Sequence, residues 1–392
     1  CTATRRQRAI PRVRQAVADH IRRRYDVPAQ PEQVYLTAGA AAGLAISISA
    51  VTEPGDEVII IAPFFPEYKV WIGTAGCTCV EVPAHVPDFQ LDIDALAQAI
   101  GPKTAAIILN SPNNPVGAVY SRENLEAFAA LLARKEEELG RKLYVISDEP
   151  YREIVFDGGE QPYPSKFYDN TLSCYSYSKS LSLPGERIGY VAVNPRATDA
   201  ELIVPMCGQI SRGTGHNCPG SSVQLAVAKV VDETSDLSVY EKNMNLLYDA
   251  LVRLGFDVVR PGGTFYIFPK ALEDDANAFC MKAKDYDLIL VPSDSFGVPG
   301  YFRMAYCIDT EKVERSIAAF EKSCTKSTAA EPVCARWRNS DANKPKGCVS
   351  ALYMAETHPC PELSRLYMAG RLAKTAKNVP PKCCFAEDVC HI

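Results

Sequence analysis

The chain has 392 residues, of which 47% are hydrophobic and 23% charged, with a formal net charge of −5. A chain of this length and composition is expected to bury a sizeable core in more than one domain. The negative charge gives no reason to expect a nucleic acid partner, and no apolar run reaches the ~20 residues that span a membrane.

Helices are predicted where apolar residues recur at helical spacing. In chain order, these segments are Ile10–Tyr25, Ala41–Val51, Leu91–Ile100, Asn124–Leu139, Leu237–Leu254, Asp275–Lys284 and Thr310–Lys322. Buried strands are predicted where short runs rich in Val and Ile stand between turns. They are Gln33–Leu36, Glu57–Ala62, Thr104–Leu109, Leu143–Ser147, Thr171–Ser176 and Ile188–Val193.

Strands that are apolar on both faces and alternate with helices are typical of an α/β fold, with a parallel sheet covered by helices on both sides. Residues 1–235 are therefore predicted to form a large domain. Residues 236–322 hold an interdomain helix and a small α+β domain, whose short elements are Phe256–Val259, Gly263–Phe268, Leu288–Val291 and Tyr301–Tyr306.

The last seventy residues, 323–392, differ in kind, because they hold seven of the fifteen cysteines. The spacing of these cysteines fits no zinc site, so no metal is predicted. Periodicity fades there, and the tail is expected to be disordered and foreign to the fold. The other eight cysteines are scattered as in a reducing cytosol, which favours a cytoplasmic protein.

The strongest chemical motif is Ser176-Tyr-Ser178-Lys179, which follows a predicted strand, with Arg187 eight residues after the lysine. A lysine amine forms a Schiff base with an aldehyde cofactor, and hydroxyl groups and a guanidinium donate hydrogen bonds to a phosphate. Taken alone, the serines and the lysine also fit a surface loop.

Two more strand ends carry polar side chains. Asp148 ends one strand and suits a pyridine nitrogen, while Tyr151 can donate to the ring oxygen. Asn114 lies in a Pro- and Gly-rich loop and suits the same ring oxygen. Asp148 as a helix N-cap and Asn114 in an Asx-turn are the structural alternatives.

Three further segments complete the candidate set. Gly39-Ala40-Ala41 opens a helix whose N–H groups suit a phosphate. Phe65 can stack on a pyridine ring, although aromatic runs are more often core. Arg303 lies inside an apolar strand, where it suits a substrate carboxylate or a buried ion pair.

In this order, the motifs resemble the class I aminotransferases of pyridoxal-phosphate (PLP) fold type I, the aspartate aminotransferase group. The resemblance runs from about Ile10 to Lys322. It implies a mostly parallel, seven-stranded-type sheet and a ping-pong transfer of an amino group from an aspartate-like donor to a 2-oxo acid such as 2-oxoglutarate. It also implies a homodimer, with no membrane partner.

The resemblance further implies a role for each residue. Lys179 holds PLP and moves the substrate proton, Asp148 pairs with the pyridinium, and Phe65 stacks on the ring, where many relatives have Trp or Tyr. The groups implied to bind the ring oxygen or the phosphate are Asn114, Tyr151, Ser176, Ser178, Arg187 and the backbone of Ala40 and Ala41. Arg303 grips the α-carboxylate, and Arg212 reaches a side-chain carboxylate in a neighbouring subunit.

The start of the chain departs from the family, whose members carry an arm with a Tyr-x4-Gly motif before the first helix. One back-translation of Cys1–Ile10, read one base earlier, restores that motif, so a frameshift near Ile10 and a missing arm are hypothesised. Two other functions stay open: a carbon–sulfur lyase on the same scaffold, because a fold does not fix the reaction type, and a PLP-binding fragment without turnover, because the arm is missing.

Overall fold

The computed structural model describes residues 9–159 and 161–325. The helices are α1 (Pro11–Tyr25), α2 (Gly39–Val51), α3 (Glu67–Thr74), α4 (Ile93–Ala99), α5 (Arg122–Leu139), α6 (Tyr177–Ser180), α7 (Ala200–Gly213), α8 (Ser221–Val227), α9 (Ser238–Arg253), α10 (Ala276–Ala283) and α11 (Thr310–Thr325). Within the described residues, none of them has both the length and the apolar character needed to cross a bilayer.

The strands are β1 (Val34–Thr37), β2 (Glu57–Ala62), β3 (Thr78–Pro83), β4 (Thr104–Asn110), β5 (Tyr144–Asp148), β6 (Thr171–Ser176), β7 (Gly189–Val193), β8 (Tyr266–Ile267), β9 (Val291–Pro292) and β10 (Phe302–Ala305). The first seven form one sheet in the order β1-β7-β6-β5-β4-β2-β3. β7 runs antiparallel to β1 and β6, and the remaining pairs are parallel. The predicted α/β class and mostly parallel sheet are therefore confirmed.

Strand β2 shows why the sheet is covered on both faces. Successive side chains of a strand point to opposite faces. Val58 and Ile60 pack into one cluster with residues of α2, α3 and α7. Ile59 and Ile61 pack into another cluster with residues of α4 and α5. A strand that is apolar from Val58 to Ala62 is thus covered by helices on both faces.

A second sheet, of three antiparallel strands in the order β8-β10-β9, lies with α9, α10 and α11 in the small α+β part of the chain. Its core contains Leu247 and Leu251 of α9, Phe302 of β10 and Phe320 of α11. Helix α11 extends to Thr325, past the predicted boundary at residue 322. The rest of the predicted tail and the hypothesised frameshift at Cys1–Ile10 lie outside the described residues, apart from the last two positions of that segment. The domain boundary at residue 235 stays a prediction.

Backbone hydrogen bonds join the large sheet to the small part. The carbonyl of Gly117, in the loop after β4, accepts from the N–H groups of Gly262 at 2.9 Å and Gly263 at 3.1 Å. Phe64, just after β2, donates through its N–H to the carbonyl of Phe296 at 3.0 Å. The loops at one edge of the large sheet are thereby tied to the segments that precede and follow β8.

Candidate active site

One edge of the large sheet gathers most of the predicted functional segments. In parallel strands the carboxyl ends lie at the same edge, and ligands of open α/β sheets bind there. The segments after β1, β2, β4, β5 and β6 meet at this edge. Because β7 is antiparallel, its amino end lies there as well, which brings Arg187 beside segments that follow the other strands.

Asp148 ends β5 and is 5% exposed. Its Oδ2 accepts a hydrogen bond of 2.5 Å from the Tyr68 hydroxyl, and its Oδ1 is buried without a hydrogen-bond partner among the described residues. Burial raises the pKa of Asp148 to about 7, while the hydrogen bond from Tyr68 lowers it. A buried acceptor without a donor is costly, so Oδ1 is suited to a cationic or N–H partner from a ligand.

Tyr68, in α3, is a site residue that the sequence analysis did not single out. Burial, followed by the nearby Asp148 charge, raises the pKa of Tyr68 well above its ordinary value, so the hydroxyl remains a donor. Tyr68 also contacts the predicted stacking residue Phe65 edge-on, with ring centroids 5.8 Å apart. Phe65 is half-buried, whereas its neighbour Phe64 is buried in the core. Of these two phenylalanines, Phe65 is therefore the more accessible to a ligand.

Lys179 lies in the short helix α6, directly after β6, and is half-buried. Its Nζ is 5.2 Å from the centroid of the Phe265 ring. The turn begins at Ser176, whose Oγ accepts from the N–H of Ser178 at 3.1 Å, and the two serine hydroxyl oxygens are 2.7 Å apart. The strand thus ends in a capped turn that presents two hydroxyl groups beside a primary amine.

Arg187 reaches from the start of β7 to the start of α2. Its Nη2 donates to the carbonyl of Ala38 at 3.3 Å and its Nη1 donates to the carbonyl of Pro184 at 3.0 Å. Gly39, the first residue of α2, has a φ of +82°, and a Cβ there would lie 2.6 Å from Arg187 Nη2. No side chain caps α2, so the N–H groups of Gly39, Ala40 and Ala41 are available together with the guanidinium.

Asn114 and Arg303 meet although they are 189 residues apart in the sequence. Arg303 Nη1 donates to Asn114 Oδ1 at 3.0 Å. The guanidinium carbon lies 4.4 Å from the centroid of Tyr266 and 5.0 Å from that of Phe296. Aromatic faces attract a guanidinium, so these contacts hold the Arg303 side chain in place between β10 and the large sheet.

Tyr151 lies between the residues around Lys179 and the residues around Arg303. It is 5% exposed and packs edge-on against Phe265 at 5.4 Å and Tyr266 at 6.0 Å. Burial, and then the Tyr266 hydroxyl, raise the pKa of Tyr151 far above its ordinary value. Because Phe265 contacts Lys179 and Tyr266 contacts Arg303, Tyr151 lies among the residues that surround both cations.

One departure from the sequence analysis concerns two aromatic residues. Phe265 and Tyr266 were read only as part of an apolar segment, and their neighbouring pattern Pro261-Gly-Gly was the available signal of a special backbone. Arg212 is exposed in the last turn of α7. Its role in a neighbouring subunit stays a prediction.

Comparison with known proteins identifies the family of the chain. Residues 2–320 match the profile of "Aminotransferase class I and II". The chain belongs to the class I and II aminotransferases. It is accordingly a PLP-dependent aminotransferase, and the lyase and fragment alternatives are not favoured.

Three aminotransferases are similar to this chain over most of their length. The aspartate/prephenate aminotransferase of Thermus thermophilus is 31% identical, over 80% of this chain and 81% of its own. A probable aspartate/prephenate aminotransferase of Aquifex aeolicus is 30% identical, over 80% of this chain and 81% of its own. The crystal structure of an aminotransferase from Eubacterium rectale is 46% identical with a TM-score of 0.80, and the match covers 82% of this chain and 81% of that one.

The described residues fit PLP. Asp148 Oδ1 is a buried acceptor that lacks a donor, as the pyridinium nitrogen requires. The start of α2, Arg187, Ser176 and Ser178 form a set of donors suited to a phosphate. The glycine at position 39 leaves the space that an added Cβ would fill beside Arg187.

Proposed function

We propose that the aminotransferase takes its amino group from an acidic amino acid, L-aspartate by default, and transfers it to 2-oxoglutarate. The observation that carries this proposal is the convergence of Asp148, Lys179 and Arg303 at one edge of the sheet. The relatives named above as aspartate/prephenate aminotransferases support a dicarboxylic donor. We propose a cytoplasmic location, because seven cysteines are free thiols, namely Cys77, Cys79, Cys174, Cys207, Cys218, Cys280 and Cys307.

In the proposed site, each side chain has a role toward the cofactor. Lys179 would hold the cofactor through its amine, and Asp148 Oδ1 would accept a hydrogen bond from the protonated ring nitrogen. Asn114 and Tyr151 donate to the ring oxygen, and Phe65 packs on the ring face. Arg187, Ser176, Ser178 and the N–H groups of Ala40 and Ala41 bind the phosphate.

The reaction needs a proton to move at the substrate Cα. When bound, PLP supplies a ring that withdraws electrons from that carbon. The Lys179 amine would remove the Cα proton as a base and, once protonated, would deliver it to C4′ of the cofactor as an acid. Arg303 binds the α-carboxylate in two parallel hydrogen bonds, which orients the Cα–H bond toward Lys179. When the substrate binds, its α-carboxylate replaces Asn114 as the hydrogen-bond partner of Arg303.

The visible absorbance of the purified, PLP-loaded protein tests this proposal. L-Aspartate is expected to bleach the band of the cofactor bound to Lys179, and 2-oxoglutarate to restore it. Lys179→Ala is expected to lack the band, whereas the matched variant Lys142→Ala keeps it, because Lys142 is exposed and pairs with Glu136 beyond the opposite end of β5.

Three outcomes would contradict the proposal. A band that no amino acid bleaches would show that the substrate site is incomplete. A band bleached by L-phenylalanine or L-alanine but not by L-aspartate would overturn the acidic donor while leaving the aminotransferase assignment intact. Release of pyruvate and a thiol from a cysteine-like substrate would reveal lyase chemistry instead.

We also propose a homodimer, in which Arg212 of one subunit reaches the side-chain carboxylate of a substrate in the other. Arg212 is exposed, which is compatible with a contact to a second copy. The mass in solution is expected to be twice that of the chain. Arg212→Ala is expected to raise KM for L-aspartate but not for L-alanine, and equal effects on both donors would refute this role.

A further inference from the structure

A second set of buried polar groups lies behind the candidate active site and takes no part in the chemistry proposed above. Arg152, one residue after Tyr151, is 2% exposed, and Glu149 is 1% exposed. An arginine keeps its charge at any pH that a folded protein tolerates, so a guanidinium this deeply buried needs its partners in place. We name Glu149, Arg152, Glu153, Tyr175 and Ser180 the Arg152 network.

The guanidinium of Arg152 is held from several sides. Nη1 donates to Glu149 Oε2 at 2.8 Å, Nε donates to Glu153 Oε1 at 3.2 Å, and Nη2 donates to the Tyr190 hydroxyl at 2.8 Å. The guanidinium carbon also lies 4.3 Å from the centroid of Tyr175 and 4.5 Å from that of Tyr25. These bonds and stacked rings fix the plane of the guanidinium as well as its position.

The network continues from Arg152 to the turn that carries Lys179. The Tyr175 hydroxyl lies 2.7 Å from Glu153 Oε2 and 2.7 Å from Ser180 Oγ. Ser180 is fully buried in the short helix α6 and directly follows Lys179. A continuous series of side-chain bonds therefore starts at Glu149 and ends at Ser180.

The two ends of this series are the sequence neighbours of the two central site residues. Glu149 follows Asp148, and Ser180 follows Lys179. The last backbone bond between these strand ends runs from Glu149 N–H to the carbonyl of Cys174 at 2.8 Å, five residues before the lysine. Beyond that bond, the Arg152 network joins the turn with Lys179 to the end of β5 through side chains, and the Ser180 carbonyl also accepts from the N–H of Ser235 at 2.6 Å.

We propose that the Arg152 network is a positioning device that fixes Lys179 relative to Asp148. The proposal rests on the proposed function of those two residues. The members of the network do not touch the substrate; they act by holding the turn of α6 against the loop after β5. A small displacement at the reacting groups has a large kinetic effect, since about 1 Å of misplacement can cost ~100-fold in rate.

The test is Tyr175→Phe in the PLP-loaded protein, because this change removes the central hydroxyl and keeps the ring beside Arg152. Three quantities are measured: the pH at which the visible band of the bound cofactor changes, the rate of PLP release, and kcat and KM separately. We expect the pH midpoint to shift by at least about 0.5 units, release to become about tenfold faster, and kcat to fall about tenfold with KM little changed. Ser180→Ala is expected to act in the same direction.

Tyr168→Phe is the matched control. The Tyr168 hydroxyl also bonds a carboxylate, Glu136 Oε1 at 2.8 Å, but it does so beyond the opposite end of β5, where it also reaches the carbonyl of Leu143. We expect this variant to lower the unfolding temperature and to leave the cofactor band and PLP release unchanged.

The results of these experiments distinguish failure of the positioning proposal from failure of the proposed role of Lys179. If Tyr175→Phe and Ser180→Ala lower only the unfolding temperature, as Tyr168→Phe does, the network is structural and the proposal fails. If Tyr175→Phe does not fold, Ser180→Ala alone decides, because it removes only one small hydroxyl group. A wild-type protein without the visible band would refute the proposed role of Lys179 itself, and the positioning proposal with it.

Discussion

At the scale of single residues, the burial of Asp148 makes the stability of the protein depend on pH. In the cofactor-free protein, burial raises its pKa from an ordinary value near 3.8 to about 7. The native state therefore holds a proton that the unfolded chain has already released between these two values. Since the native state binds more protons there, the free energy of unfolding falls as the pH rises from about 4 to about 7.

The fall in the free energy of unfolding with rising pH gives a prediction for Asp148→Asn in the absence of cofactor. The amide cannot ionise, so the variant is expected to gain stability relative to wild type as the pH rises from 5 to 8, by about 2–3 kcal/mol. Urea unfolding of both proteins at the two pH values measures the difference. A difference that does not change with pH would show that Asp148 is not held protonated by its surroundings.

The same substitution is expected to impair function. An amide does not carry the negative charge that keeps the ring nitrogen protonated, so we expect aminotransferase activity to fall by ~100-fold or more. A variant that is more stable at pH 8 and less active would identify Asp148 as a residue kept for chemistry at the expense of stability.

Individual site residues were predictable to the extent that they follow strands. Asp148 was singled out because it ends an apolar run, Lys179 because serines precede and follow it, and Asn114 because its loop is rich in Pro and Gly; their roles stay predictions. The hydrogen bond from Tyr68 to Asp148 joins residues 80 positions apart, and nothing local in the sequence indicates it. The contact of Arg303 with Asn114 was also missed, since these residues are 189 positions apart and each was assigned a separate task.

At the scale of elements, the strands that were predicted correctly are those buried on both faces. β2 and β6 were predicted with the bounds that the structure shows. β3 was missed because it is an edge strand with mostly half-buried or exposed side chains, including Glu81. Helix α7 was missed because Pro205 lies inside it, and proline normally marks a helix boundary. The antiparallel direction of β7 was not predictable from its composition, which matches that of its parallel neighbours.

The junction of β1 and α2 gives a prediction of its own. Gly39→Ala places a Cβ against Arg187 and forces an L-residue to a φ of +82°. We expect PLP affinity to fall about tenfold, and stability to fall by roughly 1–2 kcal/mol. Titration of the apoprotein with PLP, followed by absorbance, measures the first effect.

Gly55→Ala is the matched control for that experiment. Gly55 has a similar φ of +97°, but an added Cβ would have no neighbour within 4 Å. The control is expected to share the loss of stability and to keep its PLP affinity. Equal affinities for the two variants would mean that the contact with Arg187 does not matter for the cofactor.

At the scale of the whole molecule, the active site depends on the junction between the large sheet and the small α+β part. Asn114 and Arg303 come from opposite sides of that junction. Gly263 lies in it, and an added Cβ would be 2.5 Å from the carbonyl of Ile154 and 2.8 Å from the ring of Pro112. The two parts approach each other so closely there that no side chain fits.

We therefore expect Gly263→Ala to separate the two parts slightly. Overpacking of this kind typically costs ~1–3 kcal/mol, and the unfolding temperature should fall by several degrees. Because Arg303 moves away from Asn114, KM for the amino donor should rise. Gly101→Ala, where an added Cβ meets nothing within 4 Å, should change neither quantity, and an unchanged KM in Gly263→Ala would show that the junction does not position Arg303.

The antiparallel direction of β7 also has a consequence for protease sensitivity. The chain leaves the sheet edge through Lys179 and returns through Arg187, so both ends of one largely exposed loop contact the same ligand in the proposed complex. Trypsin cleaves after arginine, and exposed loops are preferred cleavage sites. Bound PLP should therefore slow tryptic cleavage after Arg187, so the rate of nicking would report cofactor occupancy in a sample that turns over no substrate.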